Sequence, residues 1–405
     1  MRVLLLTSRI PHPLNDGGNI AVSQIMKALL HHNVEVSLLS MNTTKHWVAT
    51  QDLPPVYQSL KLFKTVKVDN SVRPIPALLH FLKGTSYNIA RFVTPDFKNA
   101  LIEILQQHSF DIIQLEGLFV TPYIDIIRKY APNTSIAYRQ HNVEFQIWER
   151  LAAQSKNPLK KYYLKGLAHQ LKQYELEYLN KYDILIPISK TDEMHYQSLG
   201  YKGISHYYPY CIELNDDQQY KTPKIDANQP IKFYHIGAMD WLPNQEGIDW
   251  FLENVWKEIA PKYPHISLHL AGRNMPERYF NLSYPQVEVV GEVANAAAFE
   301  SDKEVLIVPI LAGGGIRIKT LQAMANGKAV MTTQIGIQGI DAQHLQEVLI
   351  ADNAPAFIHN LEMLIQNPSL IHSLSKKAYQ LAHQSFDEAQ NTLDLIDCYQ
   401  KIYIS

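Results

Sequence analysis

The sequence predicts an α/β protein made of two Rossmann-like domains, each with a doubly wound parallel sheet. The first observation is length, because 405 residues exceed what one hydrophobic core ordinarily serves and indicate two domains. The second is the opening, which reads as a strand, a glycine-containing loop, a helix and another strand, the pattern of a βαβ unit. The third is that a similar opening returns at residue 231, after a polar and turn-rich stretch.

The first βαβ unit begins with Arg2–Ser8, a continuous apolar run that is typical of a buried parallel strand. Val34–Ser40 predicts the second strand, and a helical pattern starts at Ile20. Gly17 and Gly18 fall in the loop between the first strand and that helix, where a ligand approaches the strand ends. The loop does not have G-x-G-x-x-G spacing, so a nicotinamide-type site is not indicated.

Two later strands of the first half end at polar residues. Phe110–Leu115 reads as a buried strand that leads to Glu116, which is either a ligand contact at the strand ends or a surface carboxylate on a loop. Thr134–Tyr138 leads to His141 and then to a helix that starts near Glu144. Glu144 is therefore either a ligand contact or a carboxylate that stabilises the helix N-terminus.

A polar stretch separates the two halves of the chain. Asp183–Ser189 reads as the last strand before it, residues 206–230 as the linker, and Ile231–Gly237 as the first strand of the second sheet. Pro243 and Asn244 then predict a turn that brings the backbone past a ligand, next to Gly237.

The stretch Pro309–Val330, PILAGGGIRIKTLQAMANGKAV, is the main candidate for a ligand site. It joins a strand to a helix through three consecutive glycines and two cations: Gly313, Gly314, Gly315, Arg317 and Lys319. Glycines allow a backbone to approach a phosphate closely, and the N–H groups of a helix start point at it. The cations add positive charge. The alternative interpretation is an ordinary strand–loop–helix connection.

This stretch resembles the donor-sugar loop of glycosyltransferase family 4, the retaining nucleotide-sugar transferases of GT-B fold. Its subgroup pattern is GGGIRIK, one residue, LEAMA, one residue, GKPVV, and this chain has GGGIRIKTLQAMANGKAVM. The segment GAMDWLPN also resembles the opening loop of the nucleotide domain, and the resemblance extends over nearly the whole chain. It implies a GT-B fold, with two Rossmann-like domains that face each other across a cleft.

The implied domain organisation has four parts. Residues 1–205 form an acceptor-binding domain, 206–230 a linker and 231–385 the nucleotide-sugar-binding domain. Residues 386–405 form a C-terminal helix that crosses back to pack on the first domain.

The resemblance implies roles for particular residues. His141 lies near the transferred sugar, and Arg317 and Lys319 neutralise the departing diphosphate, so these three are the predicted catalytic residues. Glu116 and Glu144 are the predicted acceptor contacts. The predicted donor-binding residues lie in the glycine loops and at strand ends: Gly17, Gly18, Gly237, Arg273, Gly313, Gly314, Gly315, Ile316 and Gln322. No metal site is predicted, because the chain has neither an Asp-x-Asp motif nor H-E-x-x-H spacing.

Gln322 departs from the family pattern, which places two glutamates separated by seven residues at the end of this loop. The corresponding positions here are Gly314 and Gln322, and glycine at the first is usual in the subgroup. The second glutamate accepts both ribose hydroxyl protons, whereas an amide offers one acceptor oxygen and two donors. We expect a loss of about 1–3 kcal/mol, which is a factor of about ten to a hundred in donor affinity.

The implied function is retaining, metal-independent transfer of a sugar from a nucleotide-diphosphate sugar to a saccharide or lipid-linked acceptor. This hexosyltransferase-type reaction would serve cell-surface glycan biosynthesis. It needs no cofactor beyond the UDP- or GDP-linked donor. Two alternatives stay open: a GT-B nucleotide-sugar epimerase that needs no acceptor, and a catalytically weakened pseudo-transferase that binds sugar nucleotide.

Composition bears on location and partners. Hydrophobic residues make up 46% and charged residues 19% of the chain, as in globular proteins. Cys211 and Cys398 are far apart in the sequence, which favours a reducing compartment, and no signal peptide is evident. We therefore expect a cytoplasmic protein without a nucleic-acid partner.

A basic segment around Tyr162 and Tyr163 predicts either peripheral contact with an anionic inner membrane face or a solvated helix face. Its lysines are Lys156, Lys160, Lys161, Lys165 and Lys172.

Overall fold

The computed structural model describes residues 1–14, 17–155, 157–212, 220, 230–313 and 315–403. The chain forms two compact units. Met1–Cys211 and Glu388–Ser405 make up one, and Ile212–Asp387 make up the other. We call them the N-terminal unit and the C-terminal unit.

Both units alternate strands with helices along the chain. The strands are β1 Arg2–Thr7, β2 Glu35–Thr43, β3 Leu62–Val68, β4 Ile112–Glu116, β5 Ser135–Gln140, β6 Ile184–Pro187, β7 Ile204–Ser205, β8 Ile231–Ile236, β9 Ile266–Ala271, β10 Val287–Gly291, β11 Val305–Val308, β12 Ala329–Thr332 and β13 Leu349–Ile350. The helices are α1 Gly17–His31, α2 Pro74–Leu82, α3 Tyr87–Ala90, α4 Pro95–Gln107, α5 Ile124–Tyr130, α6 Glu144–Gln154, α7 Pro158–Tyr178, α8 Lys190–Ser198, α9 Leu242–Phe251, α10 Lys257–Ile259, α11 Ala296–Glu300, α12 Ile318–Ala325, α13 Ala354–Gln366, α14 Ser369–Ser385 and α15 Glu388–Tyr403.

The strands of each unit form one parallel sheet. Over the described residues, the N-terminal sheet has seven strands in the order β3-β2-β1-β4-β5-β6-β7, and the C-terminal sheet has six in the order β10-β9-β8-β11-β12-β13. The predicted class, two Rossmann-like parallel sheets, is confirmed. In each sheet the order reverses beside the first strand, between β1 and β4 and between β8 and β11. Ligands of such sheets bind at the carboxyl ends of the strands at this switch point.

Strand β1 shows why the N-terminal sheet is buried on both faces. Successive side chains of a strand point to opposite faces. Val3 and Leu5 accordingly belong to one apolar cluster, and Leu4 and Leu6 belong to another. All four side chains are fully buried. A continuous apolar run is therefore the pattern that this position requires.

The last helix, α15, completes the N-terminal unit. Leu395 and Tyr399 are fully buried and belong to the same apolar cluster as Val3 and Ile25. The Tyr399 hydroxyl donates a hydrogen bond to the Gln114 side chain of β4. A segment from the end of the chain therefore supplies part of the core around the first strand.

Three local predictions are wrong in detail. Asp183–Ser189 does not contain the last strand of its half, because the short β7 follows and pairs with β6. The helix after β1 starts at Gly17 rather than Ile20, since a first helical turn needs no apolar residue facing the core. Pro243 and Asn244 lie in the first turn of α9, because the φ of proline suits the start of a helix.

The predicted linker lies largely outside the described residues, which omit 213–219 and 221–229. The chain passes between the units at Cys211–Ile212 and again at Asp387–Glu388. Ile212 and Asp387 form an isolated parallel bridge, so the two crossing points are neighbours. Among the described helices, none combines the length and the apolar character needed to cross a bilayer.

Candidate functional site

Lys319 is the centre of a polar network at the switch point of the C-terminal sheet. Its ammonium donates to Asn244 Oδ1 at 2.8 Å and contacts His235 Nε2 at 3.2 Å. His235 Nδ1 lies 2.8 Å from the carbonyl oxygen of Ile307, which can only accept, so Nδ1 carries the proton and Nε2 accepts from Lys319. Burial and the Lys319 charge hold the pKa of His235 well below its usual value, which keeps this imidazole neutral.

The environment of Lys319 disfavours its own charge. Burial, followed by the nearby charge of Arg317, lowers the pKa of Lys319 to about 7. Within the described residues, Lys319 makes no ion pair. Among the described residues, the hydrogen bonds of this ammonium are the two named above, to His235 and Asn244.

Glycines make room for the two cations. A Cβ at Gly237 would lie 2.9 Å from Lys319 Nζ, and a Cβ at Gly313 would lie 2.8 Å from Arg317 Nη2. Gly313 also has a φ of +124°, which side chains rarely adopt. The predicted reason for these glycines was close approach of the backbone to a phosphate, and the structure adds the space that the cations occupy.

Arg317 immediately precedes α12 and is almost fully buried. Its guanidinium lies over the ring of Trp241, 5.0 Å from the ring centre. Burial lowers the pKa of Arg317 from its usual value. The indole and Gly313 therefore hold one cation near the N-terminus of α12, while Lys319 follows within its first turn.

The other predicted donor residues differ in position, because some lie in the glycine loop and others on the surface. Gly315 has a φ of +82° in the same loop, and Ile316 packs against Gly339, whose Cβ would lie 3.2 Å from Ile316 Cβ. Arg273 is on the surface, where its Nη2 lies 3.9 Å from Asp240 Oδ2. Gln322 is exposed on α12, one turn beyond Lys319. Gly314 lies outside the described residues.

A second polar group lies at the switch point of the N-terminal sheet. Glu116 ends β4, and its side chain is buried rather than exposed on a loop. Its Oε2 accepts from His141 Nε2 at 2.7 Å and lies 3.4 Å from Arg139 Nη1. Burial alone would raise the pKa of Glu116, but the Arg139 charge and the His141 hydrogen bond outweigh it and lower that pKa.

This carboxylate is fixed on both sides. The Gln114 side-chain amide donates to Glu116 Oε1, and Gln114 in turn accepts from Tyr399 of α15. Arg139 donates to the carbonyl oxygen of Ala21 in α1 at 3.0 Å. Because the Nε2–H group of His141 donates to Glu116, Nδ1 is the ring nitrogen that remains for another partner.

The same residues border a pocket of about 440 Å³ within the N-terminal unit. Its walls include Gly18, Glu116, His141 and Glu144, so the structure brings four predicted site residues together. Gly17, one residue before Gly18, is exposed and does not line it. Three basic side chains, which the sequence patterns did not single out, also face the pocket: Arg9, Lys45 and Arg91.

Glu144 occupies a position that is compatible with both predicted interpretations. It is the first residue of α6, where a carboxylate can stabilise the helix N-terminus, and it also lines the pocket. Burial raises the pKa of Glu144 to about 7 despite a hydrogen bond with Asn142. Near neutral pH this carboxyl group can therefore hold or release a proton.

The sequence patterns did not predict the residues that position the cations and Glu116. Asn244, His235 and Trp241 position the cations, and Arg139 positions Glu116. A signal was present in two strands, because His235 in IKFYHI and Arg139 in SIAYRQ are polar side chains in otherwise apolar runs. Such a residue inside a parallel strand needs a buried partner.

Comparisons with known proteins agree with this architecture. Sucrose-phosphate synthase from Thermosynechococcus elongatus superimposes with a TM-score of 0.66 at 16% identity, over 100% of both chains. Anabaena HepE in complex with UDP superimposes with a TM-score of 0.62 at 11% identity, over 99% of this chain and 100% of HepE. The fold is that of the GT-B glycosyltransferases.

Two sequence comparisons add to the structural ones. Residues 230–367 match the family model described as Glycosyl transferases group 1, and this segment contains the whole Lys319 network. An uncharacterized 44.6 kDa protein in the cps region of Klebsiella pneumoniae is 22% identical over 399 residues, covering 95% of this chain and 96% of that protein.

Proposed function

We propose that this GT-B chain is a family 4-type retaining glycosyltransferase, of the GGGIRIK/LEAMA subgroup. It moves a hexose from a UDP- or GDP-linked donor to a saccharide or lipid-linked acceptor in cell-surface glycan biosynthesis. The observation that carries the proposal is the placement of Arg317 and Lys319, two partly desolvated cations at the switch point of the C-terminal sheet. A diphosphate would compensate both charges.

The donor is assigned to the C-terminal unit. Lys319 and Arg317 would stabilise the diphosphate as it leaves, together with the N–H groups at the start of α12. The bond between the anomeric carbon and the phosphate oxygen breaks, while the acceptor oxygen bonds to the same face of that carbon. The hydroxyl proton passes to the departing phosphate. No protein nucleophile takes part, and these two cations supply the charge that a metal supplies in other transferases.

The acceptor is assigned to the pocket of the N-terminal unit. His141, oriented by Glu116, would contact the transferred sugar, and Glu144 would contact the acceptor. Arg91 is half-buried beside this pocket, where its Nη1 donates to the carbonyl oxygen of Asn70 at 3.3 Å and burial lowers its pKa. Together with Lys45, it favours an acceptor that carries negative charge.

A weakened pseudo-transferase is the second candidate, and Gln322 favours it. The side chain is exposed on α12, so a ligand can reach it, yet it lacks the carboxylate that would accept two ribose hydroxyls. A protein of this kind would bind the sugar nucleotide and show no turnover with any saccharide acceptor.

Calorimetric titration with UDP, GDP and ADP tests donor binding, and a panel of labelled UDP- and GDP-sugars with acidic and neutral saccharides tests transfer. We expect one nucleoside diphosphate to bind and its sugar to be transferred without added metal. Arg317→Ala/Lys319→Ala should weaken that binding by about a hundredfold or more, because two charge-assisted contacts are lost.

Matched variants separate the outcomes. Lys257→Ala/Lys262→Ala removes two exposed lysines of the same unit and should leave binding unchanged. Unchanged binding in Arg317→Ala/Lys319→Ala would contradict the proposed donor site. Binding without transfer to any acceptor would favour the pseudo-transferase, and conversion of the donor without an acceptor would indicate an epimerase.

The proposal also places the protein in the cytoplasm, in peripheral contact with an anionic membrane surface. Lys160, Lys161, Lys165 and Lys172 all lie on α7, whereas Lys156 lies outside the described residues. Lys160 and Lys165 are exposed, as this role requires.

A further inference from the structure

Helix α2 turns an apolar stripe outward. Ile75, Leu78, Leu79 and Leu82 follow the spacing i, i+3, i+4, i+7, which places them on one face of the helix. In a surface helix such a stripe normally packs against the core. Here all four are at least half exposed, up to 75% for Ile75, and the small Ala77 is the buried residue of the helix.

The start of α7 continues this apolar surface. Leu159 is 81% exposed and Tyr162 is 75% exposed. The two helices are in contact, because the rings of Phe81 and Tyr163 lie 5.1 Å apart and a Cβ at Gly166 would lie 2.4 Å from the Phe81 ring. We call the outward side chains of α2 and of the first turns of α7 the docking face. Its members are Ile75, Leu78, Leu79, Leu82, Leu159, Tyr162 and Tyr163.

The two chain segments that carry the docking face have charged residues of one sign. No Asp or Glu occurs from residue 70 to 95 or from 150 to 174. Lys83, Lys160 and Lys165 are exposed beside the apolar residues. Arg73 is paired with Asp69 at 2.7 Å, so it does not add to this set. A second copy of the chain on this face would bring like charges together, which disfavours a dimer.

We propose that the docking face binds the surface of an anionic lipid bilayer. The leucines and Ile75 enter the boundary between headgroups and acyl chains, the tyrosines lie at headgroup level, and the lysines contact anionic headgroups. The docking face therefore combines the lysine-rich segment of α7 with the apolar stripe of α2, which is far away in the sequence. This inference rests on the membrane contact proposed above but not on the transferase reaction, so its test is independent of donor binding.

Sedimentation of the full-length protein with vesicles tests the proposal. Phosphatidylcholine vesicles with about 30% phosphatidylglycerol should bind it, and pure phosphatidylcholine vesicles should bind it far more weakly. Lys160→Ala/Lys161→Ala/Lys165→Ala should reduce binding by about a hundredfold, at about fivefold per lysine. Leu78→Ser/Leu82→Ser should reduce it by about tenfold or more per leucine.

Control variants remove equivalent side chains elsewhere on the N-terminal unit. Lys61→Ala/Lys98→Ala/Lys202→Ala takes away three exposed lysines, and Leu393→Ser takes away a leucine that is 45% exposed on α15. Both should bind vesicles as the unmodified chain does. Circular dichroism checks that every variant is folded.

Three results would overturn the proposal. The first is equal binding to neutral and anionic vesicles, and the second is binding that the docking-face variants leave unchanged. The third is a stable dimer in light scattering that Leu78→Ser/Leu82→Ser dissociates, which would make the face a contact between two copies of the chain.

Discussion

The partners of Lys319 are consistent with the anion-binding role proposed for it. Its ammonium is held by Asn244 and His235, two neutral groups that orient the charge without cancelling it. A carboxylate partner would have stabilised the cation and competed with a phosphate. At the residue scale, the neutral partners of Lys319 therefore leave its charge uncompensated.

The pKa of Lys319 predicts a pH dependence of nucleotide binding at the proposed donor site. Because this pKa is about 7 in the ligand-free protein, most molecules at pH 8 have a neutral Lys319. A bound diphosphate stabilises the ammonium, so binding at pH 8 should take up a proton, and affinity should fall as pH rises above 7. Calorimetry in two buffers with different ionisation enthalpies measures this uptake. Lys319→Met should abolish it, and equal uptake in that variant would contradict the assignment.

A substitution at Gln322 should raise the nucleotide affinity of the proposed donor site. Gln322→Glu supplies a carboxylate that accepts two hydroxyl protons, and nucleoside diphosphate affinity should rise about tenfold. Titration calorimetry with the nucleotide that binds the unmodified chain measures it. Gln366→Glu, at an exposed position at the end of α13, serves as the control and should leave affinity unchanged. An affinity that Gln322→Glu does not raise would mean that residue 322 is not at the ribose.

Glu116 and Arg139 form a buried pair whose members depend on each other. Glu116→Leu leaves the fully buried Arg139 guanidinium without its counter-charge and should lower the free energy of unfolding by about 3–5 kcal/mol. Glu116→Leu/Arg139→Met removes both charges and should be more stable than Glu116→Leu. Urea denaturation at pH 7 measures both variants. A double variant less stable than the single one would contradict this coupling.

The pair also has a defined pH window. Because the pKa of Glu116 is lowered in the folded protein, its contribution to stability is complete above the ordinary carboxyl pKa. It is lost as pH falls through the lowered value. The difference in unfolding free energy between the unmodified chain and Glu116→Leu should therefore shrink in acid.

At the scale of elements, helix α9 fixes the position of the glycine loop. Gly247 is buried in α9, and a Cβ there would lie 2.3 Å from the carbonyl oxygen of Pro309, where the loop begins. Asn244 lies one turn earlier in the same helix and holds Lys319. The helix therefore controls both the backbone and one cation of the site.

Gly247→Ala should push the loop away from α9. We expect a loss of about 1–3 kcal/mol of unfolding free energy, because the core offers no space for the methyl group, together with weaker nucleotide binding. Glu246→Ala, at the adjacent exposed position of the helix, should change both by less than about 0.5 kcal/mol. Thermal unfolding and calorimetry measure the two effects. An unchanged free energy of unfolding in Gly247→Ala would contradict the prediction, because the loop would then have moved away from α9 without cost.

At the scale of the whole molecule, the end of the chain stabilises its beginning. Helix α15 buries Leu395 and Tyr399 in the cluster that contains β1. The Thr392 hydroxyl lies 3.1 Å from the Tyr208 hydroxyl, which adds a polar tie inside the same unit. The core of the N-terminal unit therefore includes side chains that follow the C-terminal unit in the sequence.

Ending the chain at Asp387 should destabilise the N-terminal unit selectively. Loss of two large buried side chains costs several kcal/mol, at about 2–5 kcal/mol for each. Hydrogen exchange followed by mass spectrometry should show lost protection in β1 and β4 and retained protection in β8 and β11. Leu393→Ala, on the exposed face of α15, is the control and should change neither sheet. Equal loss in both sheets would contradict this division of stability.

Much of the fold could be predicted because its signals are local. The apolar run at β1, the glycine–cation stretch before α12 and the return of a strand at Ile231 are each contained in a few residues. The start of α1 at Gly17 and the helical setting of Asn244 were missed, because a first helical turn has no apolar periodicity to detect. The roles of the site residues themselves stay predictions until the experiments above are done.

The chain's apolar pattern and its loop motif were sufficient for the number of sheets, their parallel strands and the position of the two cations along the sequence. Packing of distant segments settled the rest. It brought His235 and Asn244 into contact with Lys319, and Arg139 into contact with Glu116. It also packed helix α2 against α7. These contacts join residues tens of positions apart, and their energies arise from burial and partner geometry, which have no periodic trace in a sequence.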